Sequence, residues 1–129
     1  MPLSNGTNLG HYQIISLLGA GGMGEVYLAF DTKLDRKVAL KILPAEVSSR
    51  RDRMDRFVRE AKAAAALNHP NIAHIYEIGE TDGIHFIAME FVAGETLRTH
   101  IKNRSVSLND AVAIIIQSAS ALAVAHEAG

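Results

Sequence analysis

Two hydrophobic periods alternate along the chain. From Tyr12 to Leu18 the run YQIISLL is dense in strand formers, and after a glycine cluster EVYLAF sets Val26, Leu28 and Phe30 on one face against Tyr27 and Ala29 on the other. DTKLD, Asp31 to Asp35, reads as a polar turn, and RKVALKIL, Arg36 to Leu43, as a third strand closed by Pro44. The period then changes: Phe57, Ala61, Ala64 and Leu67 recur at helical spacing, predicting a helix over Asp52 to Leu67 that stops at Asn68 to Pro70. NIAHIYEIGE and IHFIAMEFV flank Thr81-Asp82-Gly83, a hairpin whose Asp-Gly turn accepts positive φ. After AGET a short helix is predicted over Glu95 to Asn103. Ser107 and Asp110 then have the spacing of a capping box for a last helix running to about Ala128. Residues 1–10 show no periodicity and are expected to form a flexible leader.

With 129 residues the chain suits one ordinary domain. Its net charge of −1, from 13 Lys+Arg and 14 Asp+Glu, gives no general field for nucleic acid or an anionic membrane, so any phosphate chemistry must be local. Arg50, Arg51, Arg53 and Arg56 are interleaved with Asp52 and Asp55 and lack a set of stacking aromatics, which favours a solvated helix face over a nucleic-acid site. The absence of cysteine excludes a disulfide framework and thiolate metal sites, and a cytoplasmic location is expected. His69 and His74 are separated by Pro70, which breaks helical pairing, so no metal site is expected from the histidines. MPLSNGTNLG has neither the basic nor the apolar part of a secretory signal. The most apolar run, Ala111 to Ala125, is interrupted by Gln117, Ser118 and Ser120 and is shorter than the ~20 residues that span a bilayer. It reads as a buried helix, with no membrane segment.

The candidate chemistry begins at Leu18 to Ala29, LGAGGMGEVYLA, where Gly19, Gly21, Gly22 and Gly24 fall within six positions. The pattern G-x-G-x-x-G alone is weak, because dinucleotide-binding turns also satisfy it. Those turns lead into a helix, whereas Val26, Leu28 and Phe30 alternate as a strand, and a Walker loop needs Lys where this chain has Glu25. A glycine hairpin between antiparallel strands can instead fold its N–H groups over a triphosphate. On the loop alone, a plain hairpin with a flexible tip remains open. Lys41 follows on the third strand, and Glu60 on the helix comes 19 positions later. They have the types and order of an ion pair that steadies an ammonium against phosphates.

With these motifs, residues 11–129 resemble the first part of a protein kinase domain, most similar to bacterial Ser/Thr kinases of the eukaryotic type. LNHPNIAHIYEIGE resembles the passage from regulatory helix to fourth strand, and FIAMEFVAGETL the fifth strand, gatekeeper and hinge. The resemblance implies an α+β fold: a small lobe over 11–92 with a five-stranded antiparallel sheet and one regulatory helix, then hinge exit and two helices of a truncated large lobe over 93–129. It implies ATP as cofactor, with Leu18, Gly19, Ala20, Gly21, Gly22, Met23, Gly24 and Glu25 around the phosphates. Lys41 and Glu60 would be the catalytic pair. Val26 and Ala39 would pack on the adenine face, Met89 would be the gatekeeper, and Glu90 to Val92 would offer backbone groups to the adenine edge. Ala64 stands where the family usually carries a larger residue, a departure that would loosen the helix.

The implied activity of the complete kinase is transfer of the ATP γ-phosphate to Ser or Thr hydroxyls of protein substrates. Mg²⁺ would assist, but its ligands are absent: no His-Arg-Asp, catalytic-loop Asn or Asp-Phe-Gly occurs in the sequence. Asp82 and Asp110 read as turn and cap residues, not replacements. The chain alone is therefore expected to be inactive. The alternative is a non-catalytic module that binds nucleotide or docks on another kinase. The last helix carries Val112, Ile115, Ile116, Ala119, Leu122 and Ala123 with little to cover them, so self-association is expected.

Overall fold

The computed structural model describes residues 3–21, 24–44, 49–103 and 106–128. Strands β1 (Asn8–Leu9), β2 (Tyr12–Gly21), β3 (Gly24–Asp31) and β4 (Arg36–Ile42) precede helix α1 (Arg51–Ala65). Strands β5 (Ile75–Thr81) and β6 (Ile84–Glu90) follow, then helices α2 (Leu97–Lys102) and α3 (Leu108–Ala128). All six strands form one antiparallel sheet in the order β1-β2-β3-β4-β6-β5. The expected α+β architecture is present, with six strands where five were predicted.

The extra strand comes from the segment expected to be a flexible leader. Asn8 and Leu9 pair with Gln13 and Tyr12 across a two-residue turn whose Gly10 has φ +60°, and Leu9 is buried. Two residues are too few to show a period, so pairing of this kind leaves no hydrophobic signature.

Alternation along the strands sorts the sheet into two faces. Tyr12, Ile14, Tyr27, Ala29, Val38, Leu40, Phe86 and Ala88 form the buried core of one face. Register places Val26, Lys41 and Ile87 in one row, and Leu28, Ala39 and Met89 in another, on the opposite face. Register shifts between Ile14 and Ser16 and between Leu17 and Gly19 mark bulges that bend β2. The sheet curls so that β2 and β5 approach each other: the Tyr12 hydroxyl on β2 donates to the Glu77 carboxylate on β5, and the Tyr12 ring stands edge-on to Phe86 at 5.5 Å. The Arg36 guanidinium lies 3.7 Å from the centre of the Tyr76 ring.

Turn chemistry follows the sequence. Asp82 (φ +53°) and Gly83 (φ +77°) close the β5–β6 hairpin, and the Asp31 carboxylate accepts the N–H groups of Lys33 and Leu34 to fold the β3–β4 turn. Helix α1 lies beside β5, and Ala61 is its one buried residue among those described. Helix α3 opens as predicted, with Ser107 Oγ accepting the Asp110 N–H at 3.1 Å. The expectation that its apolar run is buried is not met: Leu108 is 81% exposed, and Ile115, Ile116 and Leu122 are more than half exposed. Leu108–Glu127 is also long and apolar enough, by length and composition alone, to cross a membrane, because the helix extends beyond the predicted run at both ends.

Candidate functional site

The glycine cluster forms the far end of the β2–β3 hairpin, with Gly21 opposite Gly24, Ala20 opposite Glu25 and Gly19 opposite Val26. Gly22 and Met23 lie outside the described residues. The described glycines answer different needs. Gly24 has φ +108°, and a Cβ there would stand 2.1 Å from the Ile42 carbonyl oxygen, so only glycine fits. A Cβ on Gly19 or Gly21 would meet nothing within 4 Å. Among the described residues their bareness therefore answers no packing need, and it leaves the backbone open to an approaching group. Leu18 and Ala20 are exposed beside them.

Below the hairpin, Val26, Ala39, Lys41 and Met89 share the sheet face opposite the core, as their register requires. Ala39 is buried, whereas Val26, Lys41 and Met89 are half-buried. Lys41, Ile87 and Ile78 lie in successive register across β4, β6 and β5, so Lys41 is about 10 Å of sheet from Ile78 at ~4.8 Å per strand. Ile78 in turn lines a cavity of about 310 Å³ with Met54, Phe57 and Val58 of α1. The helix that carries Glu60 therefore borders this end of the sheet, two strands away from Lys41.

Lys41 and Glu60 are not paired. The Glu60 carboxylate is held by Arg56 one turn earlier on the same helix, at 3.0 Å, with both side chains largely exposed. An exposed i,i+4 pair of this kind contributes about 0.3–0.5 kcal/mol. A lysine ammonium engaged by both a carboxylate and a ligand in a drier site can outweigh that amount. Ala64, half-buried on α1, adds little apolar bulk to the helix.

At the end of β6, Glu90 is tied to the preceding loop: its N–H donates to the His74 carbonyl at 2.7 Å, and its carboxylate accepts the His74 N–H at 3.1 Å. The Glu90 amide is thus already committed, whereas Val92, two residues on, is 66% exposed. A cavity of about 320 Å³ opens between Glu90, Val92, the 70–73 loop and Ile114 and Gln117 of α3. His69 joins that loop to α3. Its Nδ1 accepts the Asn71 N–H at 3.0 Å, which leaves Nε2 as the donor to Ser120 Oγ at 3.1 Å.

Sequence reasoning missed a second layer of side chains around the hairpin. Tyr27, wholly buried, donates its hydroxyl to the Glu25 carboxylate and accepts the backbone N–H of Leu3 at 2.8 Å. Burial, and then the bond to Glu25, push the Tyr27 phenol above its ordinary value, so it stays a donor. Spacing alone could have linked Glu25 and Tyr27, two apart on a strand, but nothing in the sequence points to Leu3. Among the described residues no cluster of three or more His, Asp or Glu side chains has the arrangement of a metal site.

Comparison with known proteins assigns this geometry. The protein kinase domain family matches residues 12–129. The chain is 46% identical over 119 residues to the serine/threonine-protein kinase PrkC of Bacillus subtilis (strain 168), covering 92% of this chain and 18% of that protein. It is 44% identical over 127 residues to the serine/threonine-protein kinase PknJ of Mycobacterium tuberculosis, covering 98% of this chain and 22% of that protein. Among solved structures, the Mycobacterium tuberculosis PknI kinase domain superposes with a TM-score of 0.84 at 34% identity, over 99% of this chain and 52% of that one. The chain thus spans about a fifth of these curated relatives and about half of the solved kinase domain. With the glycine hairpin, the lysine strand, the carboxylate helix and the last helix all inside the matched region, the chain belongs to the protein kinase domain family.

Proposed function

We propose that this chain is the ATP-binding part of a bacterial Ser/Thr protein kinase, whose complete form transfers the ATP γ-phosphate to Ser or Thr hydroxyls of proteins. The observation that carries the reading is the convergence of a glycine hairpin with unobstructed Gly19 and Gly21 and a sheet face bearing Val26, Ala39, Lys41 and Met89. Val26 and Ala39 would sandwich the adenine, Met89 would bound its depth, and Val92 would offer backbone hydrogen bonds at its edge. Leu18 and Ala20, beside the glycines, would border the hairpin's approach to the sugar and phosphates. The hairpin N–H groups and the Lys41 ammonium would hold the α- and β-phosphates.

Glu60 would brace Lys41 once it exchanges Arg56 for the lysine. The nucleotide brings the transferable phosphoryl group, and Mg²⁺ would neutralise its oxygens. The described residues do not supply a ligand set for the metal, and no step is assigned to it. With no His-Arg-Asp or Asp-Phe-Gly motif in these 129 residues, the chain by itself is expected to hold nucleotide weakly and to transfer no phosphate.

Calorimetry with ATP and Mg²⁺ tests the reading. Weak binding is expected, reduced at least tenfold by Lys41→Met and unchanged by Lys33→Met, a lysine at the opposite end of β3 in the Asp31 turn. Equal binding by all three proteins would refute it. Incubation of the 129-residue chain with labelled ATP and a generic protein substrate tests the expected inactivity. Lys41-dependent transfer would overturn that part alone.

A further inference from the structure

We infer that the N-terminal segment 3–9 is a strap that fixes the base of the glycine hairpin, with Tyr27 as its positioning residue. Segment 3–9 is fastened at three places. Gly6 N–H donates to the Ile14 carbonyl at 2.7 Å, and Ile14 N–H returns a bond to the Thr7 carbonyl at 2.8 Å. A turn closed by Thr7 N–H to the Ser4 carbonyl, with Gly6 at φ +86°, then reverses the chain. The reversal brings the Leu3 amide to the Tyr27 hydroxyl at 2.8 Å, while Leu3 packs against the core.

From Tyr27 the connection runs on to the hairpin. Its hydroxyl has one proton to give and gives it to Glu25, while a lone pair receives the Leu3 N–H, so both functions of the phenol are used. The ring is fully buried and cannot swing. Glu25 directly follows Gly24 at the hairpin's bend, and Ala20 opposite it is exposed. The Glu25 carboxylate thus anchors the residue that adjoins the bend.

The strap also has an electrostatic consequence. Glu25, Tyr27 and Ala29 project to one face of β3, and Val26 and Leu28 to the other. Holding the Glu25 carboxylate on the Tyr27 side keeps a negative charge off the face assigned to the nucleotide, where it would repel phosphate. This second consequence rests on the nucleotide reading; the mechanical one does not.

Amide hydrogen exchange on the 129-residue chain separates the two. Tyr27→Phe keeps the buried ring and removes both bonds, and exchange at residues 18–21 and 24–26 is expected to quicken about three- to tenfold, with Ile84–Glu90 unchanged. Leu3→Pro removes the N–H and is expected to do the same to a smaller extent, relative to Leu3→Ala, which loses the same side chain but keeps the donor. Glu25→Gln retains an acceptor for the phenol and is expected to preserve protection, where Glu25→Ala loses it. Unchanged exchange in Tyr27→Phe, acceleration spread evenly over the sheet, or equal rates in Leu3→Pro and Leu3→Ala would each overturn the strap. Local acceleration in a chain whose wild type binds no ATP would leave the strap standing and remove the nucleotide reading.

Discussion

At the scale of single residues, glycines that look alike in the sequence carry different obligations. Gly79 on β5 is bare because the Phe86 ring of the neighbouring strand lies across it: a Cβ would stand 2.7 Å from Cζ. Gly79→Ala must displace a buried ring, and such overpacking costs about 1–3 kcal/mol. Denaturant unfolding should show this loss. Gly24→Ala collides with the Ile42 backbone at a positive φ and is expected to cost at least as much. Gly21→Ala, with open space and ordinary φ, should change stability by less than about 0.5 kcal/mol while weakening ATP binding. Unchanged ATP binding in Gly21→Ala would show that the open backbone at Gly21 has no special use. The sequence announces the cluster at 19–24 by its density, but it cannot separate a glycine demanded by a neighbour's carbonyl from one left bare for a ligand.

At the scale of elements, strand alternation was legible because burial of one face writes a period of two. Tyr27 and Ala29 against Val26 and Leu28 is a pattern the structure repeats residue for residue. The seam that closes the sheet was not legible, because Tyr12 and Glu77 are 65 positions apart and their strands, β2 and β5, are separated in the pairing order by three others. That seam titrates. Burial first, and then the bond to Glu77, raise the Tyr12 phenol above its ordinary value near 10, and Tyr27 shifts the same way. A phenol whose folded-state value is raised binds its proton more tightly when folded, so its contribution is complete below about pH 10 and is lost as pH climbs through the folded value. Thermal melts are therefore expected to be level in this respect up to about pH 10 and to fall above it. Tyr12→Phe should be less stable at neutral pH and fall less steeply in alkali. A parallel alkaline slope in Tyr12→Phe would show that Tyr12 does not govern it.

At the scale of the whole molecule, the exposed last helix is the element expected to govern behaviour in solution. Ser107 caps α3 as its spacing foretold, but its apolar residues run all around it, and Leu108, Val112, Ile115, Ile116 and Leu122 lie between 49% and 81% exposed. A patch of this kind on a helix is rarely left to water. Its neighbours within the chain are slight: His69 meets Ser120, Asn71 reaches the Gln117 carbonyl, and Ala121 is buried. The charge of −1 offers almost no repulsion between copies to oppose association. Sedimentation of the 129-residue chain should therefore show mass rising with concentration in the micromolar range. Ile115→Lys combined with Leu122→Glu removes two exposed apolar groups without touching the Ser120 and Ala121 contacts, and is expected to shift the distribution to monomer. The melt of the double variant should stay within about 1 kcal/mol, because neither side chain contributes to the buried core. A wild-type chain that stays monomeric as concentration rises, with a sharp melt independent of concentration, would show that α3 is covered in solution by a packing other than the one seen here.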